Sequence, residues 1–149
     1  MITSSSPKAP LSLRPGSELC SDRVALVVED HDDTRLMMVW LLESWGYYVL
    51  EAENGQEAVQ IARWARPEVI LMDTGLPGID GITATMRIRE HLHESVRIIF
   101  ISGYCESAFR ARAITAGCDH YLTKPLDIAA LAALLKNDAS IKIEHGIRL

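Results

Sequence analysis

Basic residues are in short supply in this chain. Lys and Arg number 15 against 20 Asp and Glu, for a formal net charge of -5. No run of Lys or Arg occurs. A nucleic-acid surface normally needs a basic patch, so the composition argues against one. Cysteine is sparse as well. Cys20, Cys105 and Cys118 are an odd set without C-x-x-C spacing, which argues against a disulfide framework or a zinc site and points to free thiols in a reducing compartment. No apolar run is long enough to span a bilayer. The Ser- and Pro-rich start, residues 1–21, lacks the apolar core of a secretory signal. The expectation is a cytoplasmic protein with a mobile N-terminal tail and no membrane or nucleic-acid partner. Internal repeats are absent.

What is present suits one folded domain. The chain has 149 residues, 48% of them hydrophobic, enough for a single core and too apolar for disorder. Residues 22–137 are read as that domain and residues 138–149 as a C-terminal tail or linker. Ile141 to Glu144 alternate weakly, like a strand.

The most informative stretch is Glu68-Val69-Ile70-Leu71-Met72-Asp73, bounded by Pro67 and by Gly75, Pro77 and Gly78. A short apolar run without polar alternation reads as a strand covered on both faces. Similar runs occupy residues 24–28, 47–52, 96–101 and 120–123. Helical patterns alternate with them. The first has its spacing in Leu36, Val39, Trp40 and Leu42, with Asp32 or Asp33 as its cap and Gly46 as its stop. The second starts from an Asn54/Glu57 capping pair and continues through Ala58, Ile61, Ala62 and Ala65 to a stop at Pro67. The others cover residues 82–90, 107–116 and 127–136. Five strands alternating with five helices require an α/β fold, a doubly wound parallel sheet with helices on both faces.

In such sheets ligands bind at the carboxyl ends of the strands. Glu29 and Asp30 end the first strand, Asp73 the third, Ser102 follows the fourth and Lys124 the fifth. Three carboxylates at one crevice repel each other. A hard divalent cation relieves that repulsion, and a few oxygen ligands completed by water suit Mg²⁺. An acidic nucleophile, Mg²⁺, a lysine and a hydroxyl are the parts that move a phosphoryl group onto a carboxylate. His31 adjoins the acids but is rejected as a ligand, because hard Mg²⁺ prefers oxygen. His91 and His93 close a helix and favour its C-terminal dipole. The last helix is rich in Ala and Leu; Leu131, Leu134 and Leu135 either pack inward or leave an apolar face for a partner.

These residues resemble the receiver domains of two-component response regulators. The likeness rests on Glu29-Asp30 after VALVV, on Val69 to Asp73 followed by Leu76-Pro77-Gly78-Ile79-Asp80-Gly81, on Ser102-Gly103, and on Tyr121-Leu122-Thr123-Lys124-Pro125. It implies a flavodoxin-like (βα)5 fold with strand order 2-1-3-4-5. It implies Asp73 as phosphoacceptor and Glu29, Asp30, Asp73 and the Gly75 carbonyl around Mg²⁺. Lys124 would pair with the phosphoryl oxygens. Ser102 and Tyr121 would be the switch pair, and the Lys124-Pro125 peptide would be cis. Gly103 replaces the family's usual alanine, Gly75 is minimal, and Tyr104 is expected to shield the acyl phosphate.

The resemblance further implies a histidine kinase or histidine phosphotransfer protein as donor. The output would be a protein target or homodimer on the face of the fourth helix, fifth strand and fifth helix. The chain would be a stand-alone receiver, not a conventional enzyme, or the receiver of a hybrid kinase. A receiver-like adaptor that is never phosphorylated remains an alternative. An aspartic protease, hinted at by Asp73-Thr74-Gly75, does not fit four amphipathic helix patterns.

Overall fold

A computed structural model describes residues 23–93, 95–103 and 107–144, with side chains described as far as residue 136. Five strands and five helices alternate: β1 (Val24–Val28), α1 (Asp32–Ser44), β2 (Tyr48–Ala52), α2 (Gly55–Ala65), β3 (Val69–Asp73), α3 (Gly81–Leu92), β4 (Arg97–Ser102), α4 (Ser107–Ala116), β5 (His120–Thr123) and α5 (Ile128–Glu144). The strands form one parallel sheet in the order β2-β1-β3-β4-β5. This is the doubly wound, flavodoxin-like arrangement expected.

The sheet sits between two apolar layers. Strand residues alternate between them, as side chains on successive residues must. Leu26, Val28, Ile70, Met72, Ile98 and Phe100 pack with α2 and α3 residues such as Ile61 and Ile88. Ala25, Val27, Val69, Leu71, Ile99 and Ile101 pack with Met38, Val39 and Leu42 of α1 and with Leu131 and Leu135 of α5. All five residues of β1 and all five of β3 are buried. That explains their uninterrupted apolar runs. It also fixes where polar residues enter: at the last residue of a strand or just past it, where the layers part.

Capping is as read for α2, where Asn54 Oδ1 accepts from Glu57 N–H at 2.8 Å while Glu57 Oε1 accepts from Glu53 N–H at 2.7 Å. Asp80 caps α3 by accepting from Thr83 N–H at 2.8 Å. Helix α1 differs. Its N-cap is His31, with no side-chain cap bond; Asp32 and Asp33 lie one and two positions too late to cap and stand in the first turn, where Asp32 pairs with Arg35 at 2.8 Å. Its buried face is Met38, Val39 and Leu42, whereas Leu36 and Trp40 are exposed, Trp40 by 64%. Seven apolar residues in a row, Leu36 to Leu42, mark no single stripe, so spacing alone picked two residues from the wrong side. Gly46, with φ of +95°, supplies the left-handed stop after α1.

The end of the last helix is also corrected. Helix α5 continues through Glu144, past the expected end at residue 136. The weak strand at 141–144 is helical. No glycine or proline interrupts the sequence from Ile128 to Glu144, so nothing local stops the helix. Leu131 and Leu135 are core residues and Leu134 is partly buried against them, which removes most of the apolar surface considered for that helix. Residues 1–21, Cys20, Tyr104, Cys105 and residues 145–149 lie outside the described residues. No helix among the described residues is long and apolar enough to cross a membrane.

Candidate functional site

The carboxyl ends of β1, β3 and β5 open into a cleft of about 470 Å³ lined by Glu29, Asp30, Asp73, Thr74, Gly75 and Lys124, among others. Parallel pairing of β1 with β3 sets Val28 beside Met72, so the residues that follow, Glu29 and Asp73, emerge side by side. One oxygen each from Glu29, Asp30 and Asp73 lies within 4.8 Å of the others. The three sequence-predicted acids therefore converge on one point.

Their surroundings differ. Glu29 and Asp73 are buried, at 2% and 6% exposure, while Asp30 is exposed. Lys124 Nζ donates to Asp73 Oδ1 at 3.2 Å and stands 3.6 Å from Glu29 Oε1. Burial pushes the Glu29 carboxyl above its ordinary pKa, and the neighbouring Asp73 charge adds to the rise; the His31 N–H and Lys124 offset it only in part. Burial works against the charge on Lys124, but Asp73 and Glu29 outweigh it, and the net shift is upward. The lysine stays cationic at any physiological pH.

Glu29 Oε2 accepts from the His31 main-chain N–H at 3.2 Å. Glu29 Oε1 is buried, and apart from the Lys124 ammonium at 3.6 Å, beyond hydrogen-bond distance, it has no donor. A buried carboxylate oxygen without a donor is costly. Together with two more carboxylates in reach, it is the kind of oxygen a hard divalent cation satisfies. The acid cluster thus fits a metal ion, with Glu29, Asp30 and Asp73 as the residues able to hold it. Gly75 lines the same cleft.

Ser102 is wholly buried at the end of β4. Its hydroxyl accepts from Thr74 Oγ1 at 2.9 Å. Tyr121 is half-buried on β5, its ring 6.3 Å from Phe100 and 6.2 Å from Phe109, with the Arg110 guanidinium 5.3 Å from its centroid. The Lys124-Pro125 peptide is cis. His31 lines the cleft, and its ring meets Thr34 Oγ1 at 3.3 Å.

Two residues at the site escaped sequence reading. Thr74 follows the key aspartate and carries no sequence signal beyond an Asp-Thr-Gly triplet. Arg35 donates from Nη1 to the Glu29 carbonyl at 2.9 Å and from Nε to Glu51 at 3.0 Å. Its pairing with Asp32, three residues earlier on α1, was the available signal.

Comparisons with known proteins agree with this geometry. The sequence model of the response regulator receiver domain matches residues 25–136. The phosphate regulon transcriptional regulatory protein PhoB of Pseudomonas aeruginosa is 36% identical over 115 residues, which cover 76% of this chain and 50% of that protein. The chain spans about half the length of the curated relatives it matches. Among solved structures, a LuxR-family two-component response regulator from Aurantimonas sp. superimposes with a TM-score of 0.73 at 34% identity, covering 80% of this chain and 86% of that one. A response regulator protein from Burkholderia pseudomallei, solved with a phosphorylated aspartic acid and a calcium ion, gives a TM-score of 0.71 at 28% identity, covering 83% of this chain and 72% of that one.

Proposed function

We propose a function from one premise: the chain belongs to the response regulator receiver domain family. It is a phosphorylation switch whose acceptor is Asp73. The observation that carries this reading is the placement of Asp73, buried yet open to the cleft, 3.2 Å from Lys124 Nζ and beside two further acids. A histidine kinase or histidine phosphotransfer protein is the donor. The P–N bond of its phosphohistidine breaks as an Asp73 oxygen bonds to phosphorus, and the imidazole leaves. Lys124 neutralises charge on the phosphoryl oxygens. Glu29, Asp30, Asp73 and the Gly75 carbonyl would hold Mg²⁺, which supplies further charge neutralisation when bound. The phosphorylated aspartate and calcium of the Burkholderia protein support both assignments by likeness.

The new charge draws the Ser102 hydroxyl toward Asp73, and Tyr121 follows inward. The face of α4, β5 and α5 then changes shape for a protein target or a second copy. Ile114 of α4, exposed by 58%, lines a groove on that face together with Tyr121 of β5 and Ala130, Ala133 and Leu134 of α5. The partner is a protein, in keeping with the acidic composition. The chain acts either alone or as the receiver portion of a longer protein, such as its relatives of twice the length. It is not a conventional enzyme, since its phosphorylation consumes its own acceptor. A cytoplasmic location goes with this reading.

The test is intact mass after incubation with a small-molecule phosphodonor. One phosphoryl adduct that requires Mg²⁺, vanishes with EDTA and is absent in Asp73→Asn is expected. No adduct on folded wild-type protein would remove the reading and leave a receiver-like adaptor.

A further inference from the structure

The geometry points to Thr74 as a positioning residue that holds Ser102 at rest and so sets how readily the switch responds. This inference rests on Asp73 being phosphorylated, as proposed above. Pairing of β3 with β4 sets Asp73 beside Ile101. One step further, Thr74 and Ser102 are neighbours at the ends of adjacent strands. Thr74 Oγ1 donates to Ser102 Oγ at 2.9 Å, with exposures of 5% and 0%. Such a bond inside the protein is not diluted by water.

Alternation along β4 puts Ser102 on the face of Phe100, and Phe100 contacts the Tyr121 ring. Asp73 pairs with Ile101, whose side chain belongs to the opposite layer. To reach a phosphoryl group on Asp73, the Ser102 hydroxyl must turn away from Thr74 toward the cleft. A phosphoryl oxygen is a charged acceptor and forms a bond roughly twice as strong as a neutral one. That bond uses the Ser102 proton while the Thr74 bond uses the Ser102 oxygen, so the two compete through the turn of the hydroxyl, and the stronger one prevails. The resting bond is nonetheless part of what phosphorylation must overcome. Thr74 stands at the crossing of both requirements, since it lines the cleft beside Asp73 and grips the hydroxyl that must move. A hydrophobic residue in its place would leave Ser102 freer to answer the phosphoryl group.

The probe is beryllofluoride with Mg²⁺, a phosphoryl mimic, titrated calorimetrically into the full chain. Thr74→Val, which keeps the shape and removes the donor, is expected to tighten binding roughly two- to tenfold, the worth of one neutral hydrogen bond. Thr74→Ser keeps the donor and is expected to bind like wild type. In a Ser102→Ala background, Thr74→Val is expected to change nothing, because the partner is already gone. Thr74→Val that melts lower but binds no tighter would mark the bond as structural only and overturn the inference. The same tightening in the Ser102→Ala background would also overturn it. A wild type that accepts no phosphoryl group removes the switch and this device with it; a wild type that accepts one while Thr74→Val binds unchanged removes only the device.

Discussion

A β-carbon on Gly81 would stand 2.9 Å from the main-chain oxygen of Asp73 and 3.2 Å from Met72 Cγ. Gly81 opens α3, so this glycine is what lets the helix start directly against the strand end that carries the acceptor. The main chain cannot swing aside as a long side chain can. Gly81→Ala must therefore displace α3 or the end of β3. A loss of roughly 1–3 kcal/mol in denaturant unfolding is expected, with slower phosphoryl uptake in a mass time course. Equal stability and equal rate would show that the contact relaxes at no cost.

Glu29 illustrates a site that works against its own fold. Its pKa is raised, first by burial and then by Asp73, so the folded state binds the Glu29 proton more tightly than the unfolded chain does. Without a cation, this group's contribution is most favourable below the ordinary value of 4.5. It is lost as pH rises from there through the higher folded value. Glu29→Gln removes that cost. The cation-free variant is expected to gain about 1 kcal/mol at neutral pH, while its Mg²⁺ affinity falls roughly tenfold or more. Thermal melts with and without Mg²⁺ check both halves. A melting point that drops without the ion would contradict the first.

The strand runs, the acid positions and the lysine were legible because each has a local cause. A strand buried on both faces must be apolar, and its polar successors must sit at the rim. Periodicity failed at α1, where Leu36 to Leu42 are apolar all the way round and only the sheet decides which of them face inward. It also failed at the end of α5, because a helix without a stop signal leaves no mark of where it ends. Thr74 and Arg35 were hidden for a different reason. Thr74's partner is 28 residues away, brought to it by strand pairing that no local pattern encodes, and Arg35's is a main-chain carbonyl six residues back, which no side-chain pattern marks.

Cys118 is a prediction about what does not react. Its thiol is 7% exposed. Burial, with a smaller push from Asp119, moves its pKa from 9.0 to about 11. At pH 8 the thiolate fraction is then about a hundredfold lower than in an ordinary thiol. Alkylation followed by peptide mapping is expected to leave Cys118 unmodified until denaturant is added. Because the folded pKa exceeds the unfolded one, the thiol's share of stability is complete below about pH 9 and declines toward pH 11. Rapid labelling of Cys118 at pH 8 in native buffer would contradict this packing.

Arg35 is expected to govern the acid pair without touching the phosphoryl group. Its side chain is 11% exposed, yet the carboxylates of Asp32 and Glu51 that it meets are 84% and 47% exposed. Ion pairs to such well-solvated acids contribute little. The bond that matters is from Nη1 to the Glu29 carbonyl at 2.9 Å, since it fixes the main chain on which both Glu29 and Asp30 stand. Arg35→Ala is therefore expected to cost about 1–2 kcal/mol of stability and to weaken Mg²⁺ binding several-fold, with phosphorylation restored at high Mg²⁺. Arg35→Lys keeps the charge but not the planar fork that reaches Asp32, Glu29 and Glu51 together, so it is expected to recover little. Full recovery by lysine would mean that charge near the acids, and not the held carbonyl, is what the site requires.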